Sequence, residues 1–197
     1  MRDQRLDTVE AAVRSSGAKR VLDLGCGSGA LMRRLMKMGL DELVGVDISV
    51  PALEKAHRYL KLDELSDERR ARIQLLQGAL TYRDVRLTGY DAAVLQEVIE
   101  HLDEPRLEAA VSTVFGYAKP TTVIVTTPNA EYNVRWDSLP AGEFRHRDHR
   151  FEWTRPQFAG WAQRVADAHG YSSVAFHPIG PVDDEVGSPT QMAVFTR

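Results

Sequence analysis

The chain has 197 residues, 43% hydrophobic and 27% charged, a composition typical of a single soluble globular domain. A formal net charge of −3 excludes broad, sequence-independent binding along a nucleic-acid backbone, because that mode requires many clustered cations. No apolar run approaches the roughly 20 residues of a membrane span, and the charged start excludes a signal peptide. The lone Cys26 excludes an internal disulfide and favours a reducing compartment. We therefore expect one cytoplasmic domain over residues 1–197.

Helical and strand-like patterns alternate along the chain. The spacing of Leu6, Val9 and Val13 predicts a first helix over 3–15. Further helices are predicted over 30–39, 51–62, 104–118 and 155–170, and strands over 19–25, 43–47, 72–78, 90–96, 121–129, 172–178 and 190–197. This alternation indicates an α/β fold with a Rossmann-like, doubly wound and mostly parallel sheet. The last two strands follow each other without a helix, which predicts an antiparallel strand near the C-terminus.

The most specific local motif is the glycine-rich stretch VLDLGCGSGAL, where the first strand runs into a turn. Gly25, Gly27 and Gly29 allow a sharp turn and the close approach of a ligand to the backbone. Asp47 ends the next strand and is placed to accept hydrogen bonds from a ribose diol, with Ile48 beside it. The motif therefore predicts a nucleoside-containing cofactor.

Charge separates two candidate cofactors. A carboxylate at Asp23 disfavours the pyrophosphate of a dinucleotide, whereas it favours the sulfonium and ammonium groups of S-adenosylmethionine. This form of the loop resembles the first motif of the class I methyltransferases. A nicotinamide- or flavin-dependent dehydrogenase stays open as an alternative, because the glycine spacing with Ala30 also fits a dinucleotide fingerprint. The further S-adenosylmethionine contacts that we expect are Gly78, Ala79, Leu80 and Gln96.

A second motif, EVIEHL, follows the fourth strand and carries Glu97, Glu100 and His101. If it starts a helix, the three side chains point within a fan of roughly 100°. Converging carboxylates repel each other unless a cation lies between them, and a mixed oxygen and nitrogen shell suits Mn²⁺, Fe²⁺, Zn²⁺ or, less well, Mg²⁺. An acidic first turn that complements the helix dipole, with a surface histidine, explains the same residues.

The aperiodic stretch EFRHRDHRFEWTRPQF, residues 143–158, offers His146 and His149 as further ligands. Its arginines could contact phosphates and its aromatic residues could stack on bases. A solvated loop with a few anchoring aromatic residues is the alternative. The residues in question are Arg145, Arg147, Arg150 and Arg155, and Phe144, Phe151 and Trp153.

Together, EVIEHL and DHRFEWTR resemble the Hua-enhancer (HEN) family of RNA 3′-terminal ribose 2′-O-methyltransferases, in its bacterial RNA-repair branch. The resemblance implies methyl transfer from S-adenosylmethionine to the 2′-hydroxyl at an RNA 3′ end. It implies catalytic and metal-binding roles for four residues, and imidazole ligands favour Mn²⁺ over Mg²⁺. It also implies a polynucleotide kinase–phosphatase as partner. The four residues are Glu97, Glu100, His101 and His149.

Two further functions remain open at this stage. A metal-independent class I methyltransferase for a small metabolite would share the glycine loop. A module that binds RNA ends without turnover would share the His-rich stretch.

Overall fold

The computed structural model describes residues 1–140 and 142–197. Its helices and strands alternate in the predicted order. They are α1 (Arg2–Ser15), β1 (Arg20–Leu24), α2 (Ala30–Leu35), β2 (Glu42–Asp47), α3 (Val50–Leu60), α4 (Asp67–Ala71), β3 (Ile73–Gln77), β4 (Ala92–Gln96), α5 (Glu104–Val111), β5 (Thr122–Pro128), α6 (Arg155–His169), β6 (Ser173–Ile179) and β7 (Thr190–Thr196).

The seven strands form one sheet in the order β3-β2-β1-β4-β5-β7-β6. The first five strands of that order run parallel, and β7 is antiparallel to both of its neighbours. The predicted α/β fold with an antiparallel C-terminal strand is thus confirmed. The direction of winding reverses between β1 and β4, and ligands of open α/β sheets bind at such a switch point, beyond the carboxyl ends of the strands.

The core consists of two apolar layers, one on each face of the sheet. Neighbouring strand residues belong to different layers, as Val21 and Leu22 do, because side chains alternate across a strand. Helices α5 and α6 cover one face. On the other face α1 buries Leu6, Val9 and Val13, as its spacing predicted.

Helix α2 is shorter than predicted. It ends at Leu35 rather than near Gly39, because the next turn tightens: Lys37 N–H donates to Arg34 O and Met38 N–H to Leu35 O, each three residues back. Helix α5 continues as a π-helical stretch over Ser112–Ala118. Among the described residues, no helix combines the length and apolar character needed to span a bilayer.

Candidate methyl-transfer and metal site

The expectation that EVIEHL starts a helix is wrong. This stretch forms a tight turn between β4 and α5. Glu97 has a positive φ of 55°, and its backbone N–H donates to Thr126 O at 3.1 Å. A single 3₁₀ turn, Ile99–His101, follows, and α5 begins only at Glu104. The left-handed conformation at Glu97 breaks the helical path, so the acidic residues and the histidine do not share one helical face.

The turn nevertheless brings Glu100 and His101 to His149 from the distant His-rich stretch. One potential ligand atom from each lies within 4.8 Å of the others. The imidazoles of His101 and His149 meet edge to face, with ring centroids 4.9 Å apart. A backbone hydrogen bond of 2.7 Å from Arg150 N to Glu100 O joins the two stretches. One carboxylate and two imidazoles therefore converge beyond the carboxyl end of β4.

Two other predicted ligands lie beside this group rather than in it. Glu97 Oε2 is 2.8 Å from Arg5 Nη1, and Glu97 Oε1 accepts a hydrogen bond from Thr126 Oγ1 at 3.0 Å. Burial raises the pKa of Glu97 and the charge of Arg5 opposes that shift. The ring of His146 is 5.6 Å from that of His149, and His146 is exposed.

The two oxygens of Glu100 have different surroundings. Oε2 accepts a hydrogen bond from Thr127 Oγ1 at 3.1 Å, whereas Oε1 is buried without a hydrogen-bond partner. Loss of hydration, and then the neighbouring Glu97 carboxylate, raise the pKa of Glu100 well above its ordinary value. An unsatisfied buried polar group costs about 1–3 kcal/mol. A cation bound at Oε1 would remove this penalty and favour the charged form, so this oxygen suits a metal ligand.

The two histidines of the group, His101 and His149, have different surroundings. Burial, and then the nearby His149, lower the pKa of His101 below its ordinary value, which favours the neutral imidazole that a metal requires. His149 Nδ1 lies 2.6 Å from Oε1 of the buried Glu152, which leaves Nε2 as its free ligand atom. The sequence pattern had given Glu152 no role in the site. Its position three residues after His149 was the one feature that could have indicated this contact.

A cavity of about 580 Å³ lies beside the three-residue group, within the usual range for small-molecule sites. Gly25 lines it with φ +78°, and a Cβ there would lie 2.6 Å from Val98 Cγ2. The Asp47 carboxylate accepts hydrogen bonds from Gly27 N and Ser49 N, both at 2.8 Å. His101 and Glu97 also line the cavity, so it adjoins the acidic and histidine residues. The predicted cofactor residues on its wall are Gly25, Asp47, Ile48, Gly78, Ala79 and Leu80.

The remaining predicted cofactor residues do not line this cavity. Asp23 is buried, with Oδ2 unpartnered, and burial followed by the nearby Asp47 raises the pKa of Asp23 to about 7. Oε1 of Gln96 is likewise buried without a partner. Gly27 and Gly29 form the turn after β1, both with positive φ.

Part of the predicted RNA-contacting set has protein partners in the structure. The guanidinium of Arg145 donates to Pro189 O at 2.6 Å and to Asn129 O, and Arg155 pairs with Glu131 at 2.7 Å. Phe151 and Trp153 stack on each other with centroids 4.2 Å apart and pack against the core. These four residues thus have protein partners in the structure, and RNA contacts by them stay a prediction. Arg147, Arg150 and Phe144 are exposed.

A family model described as "Methyltransferase domain" matches residues 21–121. The small RNA 2′-O-methyltransferase of Gallus gallus is 38% identical, over 98% of this chain and 53% of the relative. That of Arabidopsis thaliana is 34% identical over 98% of this chain and 22% of the relative. The chain thus spans about half or less of these relatives' length.

Solved structures show the same similarity. The methyltransferase domain of bacterial CtHen1-CN is 51% identical, covers 100% of both chains and superposes with a TM-score of 0.91. The structure of the small RNA methyltransferase HEN1 is 34% identical, with a TM-score of 0.88, over 100% of this chain and 25% of that one.

Proposed function

The chain belongs to the HEN-type methyltransferase domains, and we propose that it transfers a methyl group from S-adenosylmethionine to the 2′-oxygen of an RNA's 3′-terminal nucleotide. The observation that carries the proposal is the buried Glu100, whose carboxylate converges with two imidazoles and whose Oε1 has no hydrogen-bond partner. His101 belongs both to this group and to the wall of the cofactor cavity, so a sugar held by the group would lie next to the cofactor.

The donor set fits a divalent cation. One carboxylate and two imidazoles suit Mn²⁺ better than Mg²⁺. We propose Glu100, His101 and His149 as its ligands, with Glu97 joining them once it leaves Arg5. When bound, the ion would lower the pKa of a ribose hydroxyl and fix its position. A neutral His101 could serve as a ligand or accept the hydroxyl proton.

The rest of the chain has to place the methyl donor. Gly25 and the residues at 78–80 border the cavity, and Asp47 is held by two backbone N–H groups at the end of β2. We assign the ribose of S-adenosylmethionine to Asp47 and its methionine part to the neighbourhood of Asp23 and Gln96. The remaining task of the protein in this proposal is to align oxygen, methyl carbon and sulfur for in-line displacement.

The test is a methylation assay on short RNAs, with and without a chelator, followed by periodate oxidation. We expect EDTA to abolish transfer, Mn²⁺ to restore it, and the product to resist periodate because its terminal diol is blocked. RNAs that end in a 2′-deoxyribose should not be methylated. RNAs that end in a 3′-phosphate should not be methylated either, if both ribose hydroxyls contact the site.

Other outcomes would identify the alternatives. EDTA-resistant activity without competition by RNA would indicate a metal-independent enzyme for small metabolites. RNA binding without turnover of labelled cofactor would indicate a silent RNA-end module. From the resemblance of its motifs to the bacterial RNA-repair branch of the family, we also propose a role in RNA repair with a polynucleotide kinase–phosphatase, for which co-purification of the two proteins is the test.

A further inference from the structure

Glu152 is a buried acid at the centre of a closed hydrogen-bond network behind His149. Its Oε1 lies 2.6 Å from His149 Nδ1 and accepts a hydrogen bond from Arg145 N at 2.8 Å. Its Oε2 accepts a hydrogen bond from Asn133 Nδ2 at 2.5 Å. Three bonds on two oxygens leave the carboxylate little freedom to rotate.

Asn133 and Arg145 are themselves fixed. Asn133 Oδ1 accepts a hydrogen bond from Arg145 Nε at 2.6 Å, which closes a ring through Glu152. The Arg145 guanidinium also donates to Pro189 O at 2.6 Å and to Asn129 O at the end of β5. Three separate segments of the chain therefore hold the acid that contacts His149.

We infer that Glu152 is a positioning residue that sets the tautomer and orientation of His149. An acceptor at Nδ1 places the ring proton there and leaves the Nε2 lone pair free. Such partners of metal-binding histidines typically change metal affinity by 10–100-fold when mutated. The consequence for metal affinity rests on the proposed cation site, whereas the tautomer does not.

A purely structural role for Glu152, pinning the loop through Arg145 N, would have a different signature. It would affect folding but would leave the protonation of the His149 ring unchanged. Glu152→Gln separates the two roles. A glutamine must turn its NH₂ group toward either His149 Nδ1 or Asn133 Nδ2, where the native acid offers only acceptors.

The experiment is nitrogen-15 NMR of the metal-free, histidine-labelled protein, with His149 assigned from a His149→Gln spectrum. Mn²⁺ affinity is measured in parallel by electron paramagnetic resonance. We expect wild-type His149 to be protonated at Nδ1. In Glu152→Gln we expect mixed tautomers and about 10–100-fold weaker Mn²⁺ binding, with S-adenosylmethionine affinity retained. The matched control is Glu131→Gln, which removes an acid that pairs with Arg155 and should change neither measurement.

Each failure has its own meaning. A wild-type His149 protonated at Nε2, or an unchanged tautomer and Mn²⁺ affinity in Glu152→Gln, overturns the inference. Wild-type protein that shows the Nδ1 tautomer but binds no Mn²⁺ refutes the proposed metal site and leaves the positioning of the ring intact. Should Glu152→Gln not fold, Glu152→Asp shortens the side chain and moves the carboxylate away from His149 Nδ1. An unchanged His149 spectrum and Mn²⁺ affinity in that variant would overturn the inference.

Discussion

The proposed cofactor cavity and the acidic and histidine group are adjacent but are built in different ways. The cavity depends on backbone: Gly25 has a left-handed φ, and backbone N–H groups hold the Asp47 carboxylate. The adjoining group depends on side chains, since Glu100 and His149 come from distant stretches and Glu152 holds the latter. Added backbone strain should therefore weaken ligand binding in the cavity, whereas loss of a single polar side chain should impair the adjoining group.

The largest effect is expected at the second site. His149→Ala should lower RNA methylation by about 10²–10³-fold, comparable to the loss of one preorganised group at a reaction centre. S-adenosylmethionine affinity should stay near wild type, because His149 does not line the cavity. His146→Ala is the control and should leave both nearly unchanged. Single-turnover methylation and isothermal titration measure the two quantities. Loss of cofactor binding in His149→Ala would contradict this separation.

Gly25→Ala should have the opposite effect, weakening S-adenosylmethionine binding while leaving the metal site intact. The positive φ and a Cβ 2.6 Å from Val98 Cγ2 force strain of about 1–3 kcal/mol, which corresponds to at least about fivefold weaker S-adenosylmethionine binding. Mn²⁺ affinity should change little. Gly39→Ala is the matched control, since its φ is also positive but no atom lies near the added Cβ. Equal losses of cofactor affinity in both variants would show that the cavity does not depend on Gly25.

Asp23→Asn tests the buried acid behind the cavity. Because burial raises the pKa of Asp23 to about 7 in the folded chain, folded protein holds its proton more tightly than unfolded protein. The contribution of Asp23 to the free energy of unfolding is therefore fully present below about pH 4 and is lost as the pH rises to about 7. The cofactor-free variant should therefore be roughly 1–3 kcal/mol more stable than wild type above pH 7, yet bind the cofactor less tightly. Melting temperature against pH measures this, with the exposed Asp41→Asn as control. A parallel pH dependence in variant and wild type would contradict it.

The smallest expected effects concern the arginines. Arg147 is 91% exposed, and its ion pair with the exposed Asp148 is long, at 3.8 Å. We expect Arg147→Met to remove a phosphate contact and raise the KM for RNA by about two- to fivefold, as for an exposed charge pair. Arg155→Met should leave this KM unchanged, because Arg155 is paired with Glu131. Steady-state kinetics on one RNA compares them. An increase in KM with Arg155→Met but not with Arg147→Met would contradict this prediction and would assign the phosphate contact to Arg155.

Much of the fold was predictable because its signals are local. The period of Leu6, Val9 and Val13 identified α1, and runs of β-branched residues identified β5, all of whose residues are buried. EVIEHL shows the limit of such signals. Its composition fits a helix start, but the left-handed Glu97 turns the chain away, and no short-range pattern indicates that conformation.

The sequence by itself determined the α/β order and the glycine loop, because period and glycine spacing are properties of neighbouring residues. The grouping of Glu100, His101 and His149 came from the resemblance of two distant motifs to one family, and the structure shows that these three residues converge. Only the tertiary structure decided which partner each polar group has. Arg5 reaches Glu97 across 92 positions, Arg145 is enclosed by carbonyl groups, and Glu152 holds His149. Such pairings depend on how distant segments pack and on which charged groups lose water there. Which partner each buried polar group obtains is therefore decided only when the chain is folded.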